Sequence, residues 1–72
     1  MAYQIYKVHL LDGNVIEFAE DYYLPPRKGI VEIYRNAEEN AVITFGDAIN
    51  GYCYVPKNNI LYITTCGVKV VD

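Results

Sequence analysis

The sequence predicts an all-β fold for a single domain of residues 1–72, built as a small barrel or rolled antiparallel sheet of about five to seven short strands. No apolar stripe at three- and four-residue intervals persists along the chain, although an amphipathic helix requires one. Instead, Tyr6, Val8 and Leu10 alternate with two polar residues, a pattern typical of half-buried strands. Glycine, proline and asparagine divide the chain into short segments, so the predicted strands are short.

The first two strands are predicted to form a hairpin. Strand one covers residues 3–11, and the pair Asp12-Gly13 follows at once. This pair permits the positive φ angles that a tight hairpin turn needs. Strand two then covers residues 14–20, with Ile16 and Phe18 on one face.

A third strand is predicted over residues 30–35, IVEIYR, after a proline-rich connection. Its inward side is either Val31 with Ile33 or Ile30 with Tyr34, because both sides carry apolar groups. The polar turn NAEEN follows and leads into AVITF. These two strands are therefore predicted to form a second hairpin, and no helix is expected.

The last part of the chain is predicted to contain two or three short strands. Residues 46–51, GDAING, break the chain between two glycines, and residues 52–55 form a strand that Pro56 ends. PKNN then predicts a tight turn or a 3₁₀ turn, because proline fixes φ and asparagine bonds locally. ILYITT resumes as a strand from Ile60, and the tail CGVKVVD is predicted to add a final one.

Composition limits the classes of partner. The 72 residues are 53% hydrophobic, which is more apolar side chain than so small a core hides, so we expect a homo-oligomer. The net charge of −3 disfavours nucleic acid. No window approaches the roughly 20 apolar residues of a membrane span, and the start MAYQIYKV lacks the pattern of a signal peptide. We therefore expect a cytoplasmic protein and no membrane association.

Catalytic and metal-binding patterns are weak in this chain, so we expect no enzyme, no cofactor and no metal. Serine is absent. Cys53 and Cys66 are interpreted as two free, buried hydrophobic residues, and His9 as a half-exposed strand residue. A thiol enzyme that uses His9 as its base is the alternative, but no spacing of ligands or catalytic residues supports it.

Tyrosine is enriched, with eight residues in the chain. Tyr52 and Tyr54 are two residues apart and share a face of their strand. The stretch DYYLPPRKG, residues 21–29, combines two further tyrosines with two basic residues. Tyrosine is enriched at interfaces, although it is also an ordinary strand residue, and prolines also stiffen turns and block edge pairing. The candidate contact residues are Tyr22, Tyr23, Arg27, Lys28, Tyr52 and Tyr54.

Two segments carry a resemblance at the level of the fold. VHLLDGNVIEF resembles the strand, Asp-Gly turn and strand that open Sm-like barrels, and PKNNILYIT resembles their closing turn and last core strand, an ending that SH3-like barrels share. The resemblance implies an RNA site and assembly into rings. Sm-like proteins place an aspartate and an asparagine in the loop after strand two, whereas here Asp21 is followed by no asparagine, and the chain begins without their short helix.

The functional prediction is a small non-enzymatic module that binds a protein or peptide through a tyrosine-rich surface. An Sm-like RNA-binding subunit is one alternative. A phage or mobile-element protein that blocks a host protein is another, because composition alone does not separate such a short acidic chain from a housekeeping adaptor.

Overall fold

The computed structural model describes residues 1–47, 49 and 51–71. Most of these residues lie in five strands, which confirms the all-β prediction. The elements follow in chain order: β1 (Ala2–Leu10), β2 (Val15–Asp21), a 3₁₀ helix (Pro26–Lys28), α1 (Ile30–Asn36), β3 (Val42–Asp47), β4 (Gly51–Pro56), a second 3₁₀ helix (Lys57–Asn59) and β5 (Ile60–Val70).

The predicted β1–β2 hairpin is confirmed, with Val8 opposite Ile16 and Tyr6 opposite Phe18. The Leu10 N–H donates to the Asn14 carbonyl at 2.9 Å and closes the turn. Gly13 has φ 91°, the positive φ angle that the Asp12-Gly13 pair predicted for this turn.

β5 pairs with the other edge of β1 and completes a sheet of order β2-β1-β5. The two strands predicted from Ile60 onward are one continuous strand of 11 residues. The β1–β5 register shifts between Ile5 and Tyr6, so that Cys66 is an extra residue beside Gly67, which has φ 112°. A bulge therefore replaces the predicted break.

The predicted third strand is wrong, because residues 30–35 lie in the helix α1. β-branched and aromatic residues favoured a strand, but tertiary contacts override that propensity here. Ile30, Tyr34 and Ala37 follow one another at helical spacing and all pack against the core. Glu20 on β2 accepts the Ile30 N–H at 2.8 Å and so satisfies one of the free N–H groups of the first helical turn.

The second hairpin is formed by β3 and β4, not by residues 30–35 with AVITF as predicted. The strand expected over residues 52–55 is confirmed within β4. Gly46 has φ 116°, and a Cβ at that position would overlap the Gly51 carbonyl oxygen. Ala48 and Asn50, in the middle of the predicted break GDAING, lie outside the described residues.

The core lies between the three-stranded sheet and the β3–β4 hairpin. The Phe18 ring packs against Tyr6 with centroids 5.3 Å apart and against Phe45 at 5.2 Å. Seven side chains form the buried cluster: Tyr6, Val8, Ile30, Ile43, Phe45, Val55 and Ile60. Among the described residues, no ladder joins the two sheets, so the small domain is a pair of packed sheets without barrel closure.

Candidate functional site

The segment of residues 21–29, called the tyrosine loop below, is held by its own backbone. The Asp21 carboxylate accepts the Tyr23 N–H at 3.0 Å, and the Asp21 carbonyl accepts the Leu24 N–H at 3.1 Å. Pro26 then opens the 3₁₀ helix, whose Lys28 N–H donates to the Pro25 carbonyl at 2.8 Å. The prolines therefore shape the loop, as one of the two interpretations of the sequence expected.

The four candidate residues of the tyrosine loop are all exposed. Tyr22 and Tyr23 expose 53% and 76% of their surface, and their rings meet edge to face with centroids 5.7 Å apart. Arg27 and Lys28 lie a few residues further on, in the 3₁₀ helix. Neither belongs to an ion pair in the described part of the chain, where the only pair is between α1 residues. Both charges are therefore available to a partner.

The other two candidate residues lie on the outer face of the β3–β4 hairpin. Tyr52 is opposite Gly46 and Tyr54 is opposite Thr44, and they expose 51% and 67% of their surface. Their strand neighbours Cys53 and Val55 alternate toward the other side, where Val55 joins the core. The prediction that the two tyrosines share a face is consistent with this register.

β2 lines two depressions, one bordered by Tyr52 of the hairpin pair and the other by Tyr22 of the tyrosine loop. Its residues 16–19 line an open groove of 640 Å³, whose opposite wall includes Phe45 and Tyr52. The next residues, Glu20 to Tyr22, line a smaller cleft of 300 Å³ beneath the tyrosine loop. Tyr52 and Tyr22 thus border successive depressions along one strand, although no ring contact joins the two tyrosine groups among the described residues.

Glu20, which lines the smaller cleft, contacts the start of α1. The Glu20 carboxylate accepts the Ile30 N–H, and it also lies against Gly29, where a Cβ would come within 3.1 Å of its Oε1. Burial, and then the negative charge of Glu20, raises the pKa of Tyr6 beside this cleft. The neutral hydroxyl form of Tyr6 is therefore favoured there.

The two cysteines are both free and exposed, so the prediction that they are buried is wrong. His9 stacks on Tyr62 with centroids 4.2 Å apart, and its Nε2 lies 3.2 Å from Thr64 Oγ1. Thr64 Oγ1 is in turn 3.9 Å from Cys66 Sγ. The threonine stands between the imidazole and the thiol, so this cluster does not place a base directly on a nucleophile.

Cys53 lies on the other sheet and lines the 640 Å³ groove. In the described part of the chain, no group of three His, Cys, Asp or Glu side chains could hold a metal ion. No described helix has the length and apolar character needed to cross a bilayer.

One surface was missed by sequence reasoning. A groove of 390 Å³ lies between α1 and β5; Val31, Tyr34 and Leu61 are among its apolar lining residues, and Arg35 lines it as well. The prediction of a strand at residues 30–35 hid this groove. The signal that pointed to it is the near absence of charge in β5, where Lys69 is the only charged residue of 11.

Comparison with protein-family models, with curated proteins and with solved structures finds no match for this chain.

Proposed function

We propose that this chain is a small, cytoplasmic, non-enzymatic interaction module that binds a protein or peptide through its exposed tyrosines and acts as a homo-oligomer. The observation that carries the proposal is the exposure of Tyr22, Tyr23, Tyr52 and Tyr54, each of which presents more than half of its surface. These rings add little to the core. Because the fold does not need these rings for its core, we assign them to contact with a partner.

Tyrosine suits such a surface on physical grounds. One ring removes about 150–250 Å² from water when it is buried, and it loses few rotamers because only two side-chain angles must be fixed. The backbone that carries Tyr22 and Tyr23 is already ordered by Asp21 and by the 3₁₀ helix. Ordering costs on binding are lower for such a preformed loop than for a flexible one.

The charges of the tyrosine loop favour a partner with acidic groups. Arg27 and Lys28 project from a chain whose net charge is −3, so they form a local basic site on an acidic molecule. A partner protein or peptide would match this arrangement if it places a carboxylate against Arg27 and Lys28 and an apolar contact against the tyrosines.

An Sm-like RNA-binding subunit is the second candidate. Two exposed rings beside two basic residues also match the stacking and phosphate contacts that single-stranded RNA uses. The net charge of −3 opposes this candidate, because an acidic chain has no long-range attraction for a phosphate backbone.

Affinity capture from native cytosol tests the proposal. The wild-type chain is compared with a loop variant, Tyr22→Ser/Tyr23→Ser/Arg27→Ser/Lys28→Ser, and with a hairpin variant, Tyr52→Ser/Tyr54→Ser. We expect one protein partner to be recovered with the wild type and lost, or reduced at least about tenfold, with one of the variants, because contact tyrosines often carry 2 kcal/mol or more. Nuclease treatment beforehand separates a protein partner from an RNA-mediated one.

The matched control is Tyr3→Ser/Lys7→Ser. These two residues of β1 lie on the face of the three-stranded sheet that points away from the core, so the variant removes one tyrosine and one basic residue outside both candidate surfaces. It should leave the recovery unchanged, while circular dichroism reports that every variant remains folded. Equal recovery by the wild type and both tyrosine variants would contradict the proposal. Recovery that disappears only after nuclease treatment would favour the RNA-binding candidate.

A further inference from the structure

β5 has one edge without a strand partner in the described part of the chain. β1 pairs with one of its edges, and the sheet order β2-β1-β5 leaves the other edge outermost. The Val71 N–H donates to the Met1 carbonyl at 2.7 Å, and the Leu11 N–H donates to the Asn59 carbonyl at 2.9 Å. Along a strand, the backbone N–H and C=O groups of successive residues point alternately toward one neighbouring strand (inward, here toward β1) and away from it (outward). These bonds therefore fix which residues of β5 point their backbone groups away from β1. The outward residues of the register are Ile63, Thr65, Val68 and Val70.

The outer edge of β5 also lacks the charges that usually protect an exposed strand. β5 carries Lys69 as its single charge in 11 residues, whereas the shorter β2 carries Glu17, Glu20 and Asp21. Two copies of β2 side by side would repel one another, but two copies of β5 would not. Of these two sheet edges, β5 is the one suited to pairing with itself.

The two ends of β5 differ in a way that suits pairing, because one end borders a groove and the other carries two exposed valines. Near its start, Ile63 and Thr65 line the 390 Å³ groove that α1 borders through Val31 and Tyr34. Near its end, Val68 and Val70 expose 48% and 70% of their surface and lie on the same face of the sheet as that groove. An antiparallel pairing of two copies brings the end of one strand to the start of the other.

We propose that two copies of the chain pair antiparallel through the outer edges of β5, about a two-fold axis that passes between Cys66 and Gly67. In this register Thr65 lies opposite Val68 of the second copy, and Ile63 lies opposite Val70. Each copy then seats its two exposed valines in the groove between α1 and β5 of the other. On the opposite face, Thr64 lies opposite Lys69, so no like charges meet.

The backbone favours this register over its neighbours. The extra residue Cys66 shifts the alternation, so outward groups recur at positions 63, 65, 68 and 70. A two-fold axis between residues 66 and 67 aligns all four with outward groups of the second copy and sets the two bulges opposite one another. Displacing the register by one residue places inward groups against outward ones and loses hydrogen bonds.

The exposed area of one chain matches the size of such an interface. The chain exposes 5225 Å², whereas surface-to-mass scaling gives about 4500 Å² for a folded monomer of 8.2 kDa. The excess is about 700 Å², close to the roughly 800 Å² that each partner buries in a standard-size interface. The pairing also completes a continuous six-stranded sheet. This inference rests on the homo-oligomer part of the proposed function and leaves the tyrosine loop free.

Disulfide trapping tests the register directly. In a Cys53→Ala/Cys66→Ala background, one preparation carries Thr64→Cys and another carries Lys69→Cys. Residues 64 and 69 form a non-hydrogen-bonded pair in the proposed ladder, where Cα atoms are about 4.5 Å apart and a disulfide can form. We expect mild oxidation to link the mixed sample, and neither preparation alone. No link in the mixture, or links between identical variants of equal yield, would overturn the proposed pairing.

Native mass measurement supplies a second readout. The wild-type chain is expected at twice its mass of 8.2 kDa. Val70→Lys should raise the dimer dissociation constant by about a hundredfold, because each of the two copies loses one buried valine. Val15→Lys, on exposed β2, is the matched control and should leave the dimer intact. A wild type that stays monomeric at micromolar concentration, or an equal dimer for Val70→Lys, would contradict the inference. Partner recovery through the tyrosines is scored separately, so failure of either proposal can be recognised.

Discussion

Asp12 holds the β1–β2 turn with both of its carboxylate oxygens. Oδ1 accepts the Asn14 backbone N–H and Oδ2 accepts the Asn14 side-chain amide, each at 2.9 Å. These hydrogen bonds, the backbone one first, lower the pKa of Asp12 from its ordinary value of 3.8. A carboxyl group whose pKa is lower in the folded state stabilises the fold above the unfolded pKa.

The stabilisation from Asp12 is therefore expected to disappear in acid. It should be complete at neutral pH and fall as the pH drops through 3.8 toward the lower folded pKa. Urea unfolding of the wild type and Asp12→Ala across this range checks the sign: the difference in stability should shrink at low pH. A difference that grows in acid would contradict the assignment.

Gly46 and Gly13 both have positive φ, but their surroundings differ. A Cβ at Gly46 would overlap the Gly51 carbonyl oxygen, whereas a Cβ at Gly13 meets nothing within 4 Å. We expect Gly46→Ala to destabilise the fold by about 1–3 kcal/mol or more, because backbone strain and a clash with the main chain act together. Gly13→Ala is the control and should cost only about 1–2 kcal/mol, the strain alone. Chemical denaturation of both variants measures the contrast.

At the scale of the elements, α1 depends on a side chain from another element. It begins at Ile30, and its N-cap residue Gly29 has no side chain to cap it, so Glu20 of β2 accepts the Ile30 N–H instead. The helix also carries an internal pair, Arg35 with Glu32 at 2.8 Å, but this pair is solvent-exposed and contributes little. The Glu20 contact therefore couples the helix to the sheet.

Removal of the Glu20 carboxylate should loosen α1. We expect Glu20→Ala to lower the free energy of unfolding by about 0.5–2 kcal/mol, the range seen for lost N-terminal caps. Glu20→Gln retains an acceptor oxygen and should recover most of that loss. Urea denaturation of the two variants measures it, and equal losses would indicate that charge, not the hydrogen bond, is what the helix needs.

The elements that local signals determine were predictable, and the helix was not. The β1–β2 hairpin is specified by Asp12-Gly13 and by alternation, and the 3₁₀ turn after Pro56 by proline and asparagine. The helix α1 depends on the hydrogen bond to Glu20 and on the core contacts of Ile30 and Tyr34. Both kinds of contact join residues that lie far apart in the sequence. Short apolar segments of this kind are ambiguous without their tertiary contacts.

The candidate site was predictable in part for a similar reason. Clustering of tyrosine and basic residues in the tyrosine loop is visible in the sequence, and so is the shared face of Tyr52 and Tyr54. The exposure of Cys53 and Cys66 was not visible, because a small thiol side chain fits either side of a strand. The groove beside β5 required α1 to be placed first.

At the scale of the whole molecule, stability is concentrated in a few rings between the two sheets. Phe45 is nearly fully buried and contacts Phe18, whereas Tyr54 on the same hairpin is exposed. A domain of 72 residues hides a smaller fraction of its surface than a larger one does. The free energy lost with one central ring is therefore a large fraction of the total free energy of unfolding.

Two substitutions on this hairpin should differ sharply. We expect Phe45→Ala to cost about 3–5 kcal/mol and to leave the domain largely unfolded at ambient temperature. Tyr54→Ser, the matched control, should change stability by about 0.5 kcal/mol or less, as exposed positions usually do. Thermal denaturation followed by circular dichroism compares them. A large loss for Tyr54→Ser would assign that tyrosine to the core and weaken the proposed function.

The open junction between the two sheets has a consequence for motion. Within the described residues, no backbone hydrogen bond joins β3 or β4 to the three-stranded sheet, so side-chain packing makes the contact between the hairpin and that sheet. We therefore expect the hairpin to open to solvent more often than β1, which has a strand partner on both edges. Amide hydrogens of β3 and β4 should exchange with solvent faster than those of β1. Tyr52 and Tyr54 would then sit on the more mobile half of the molecule, where docking of a partner slows exchange across the whole hairpin.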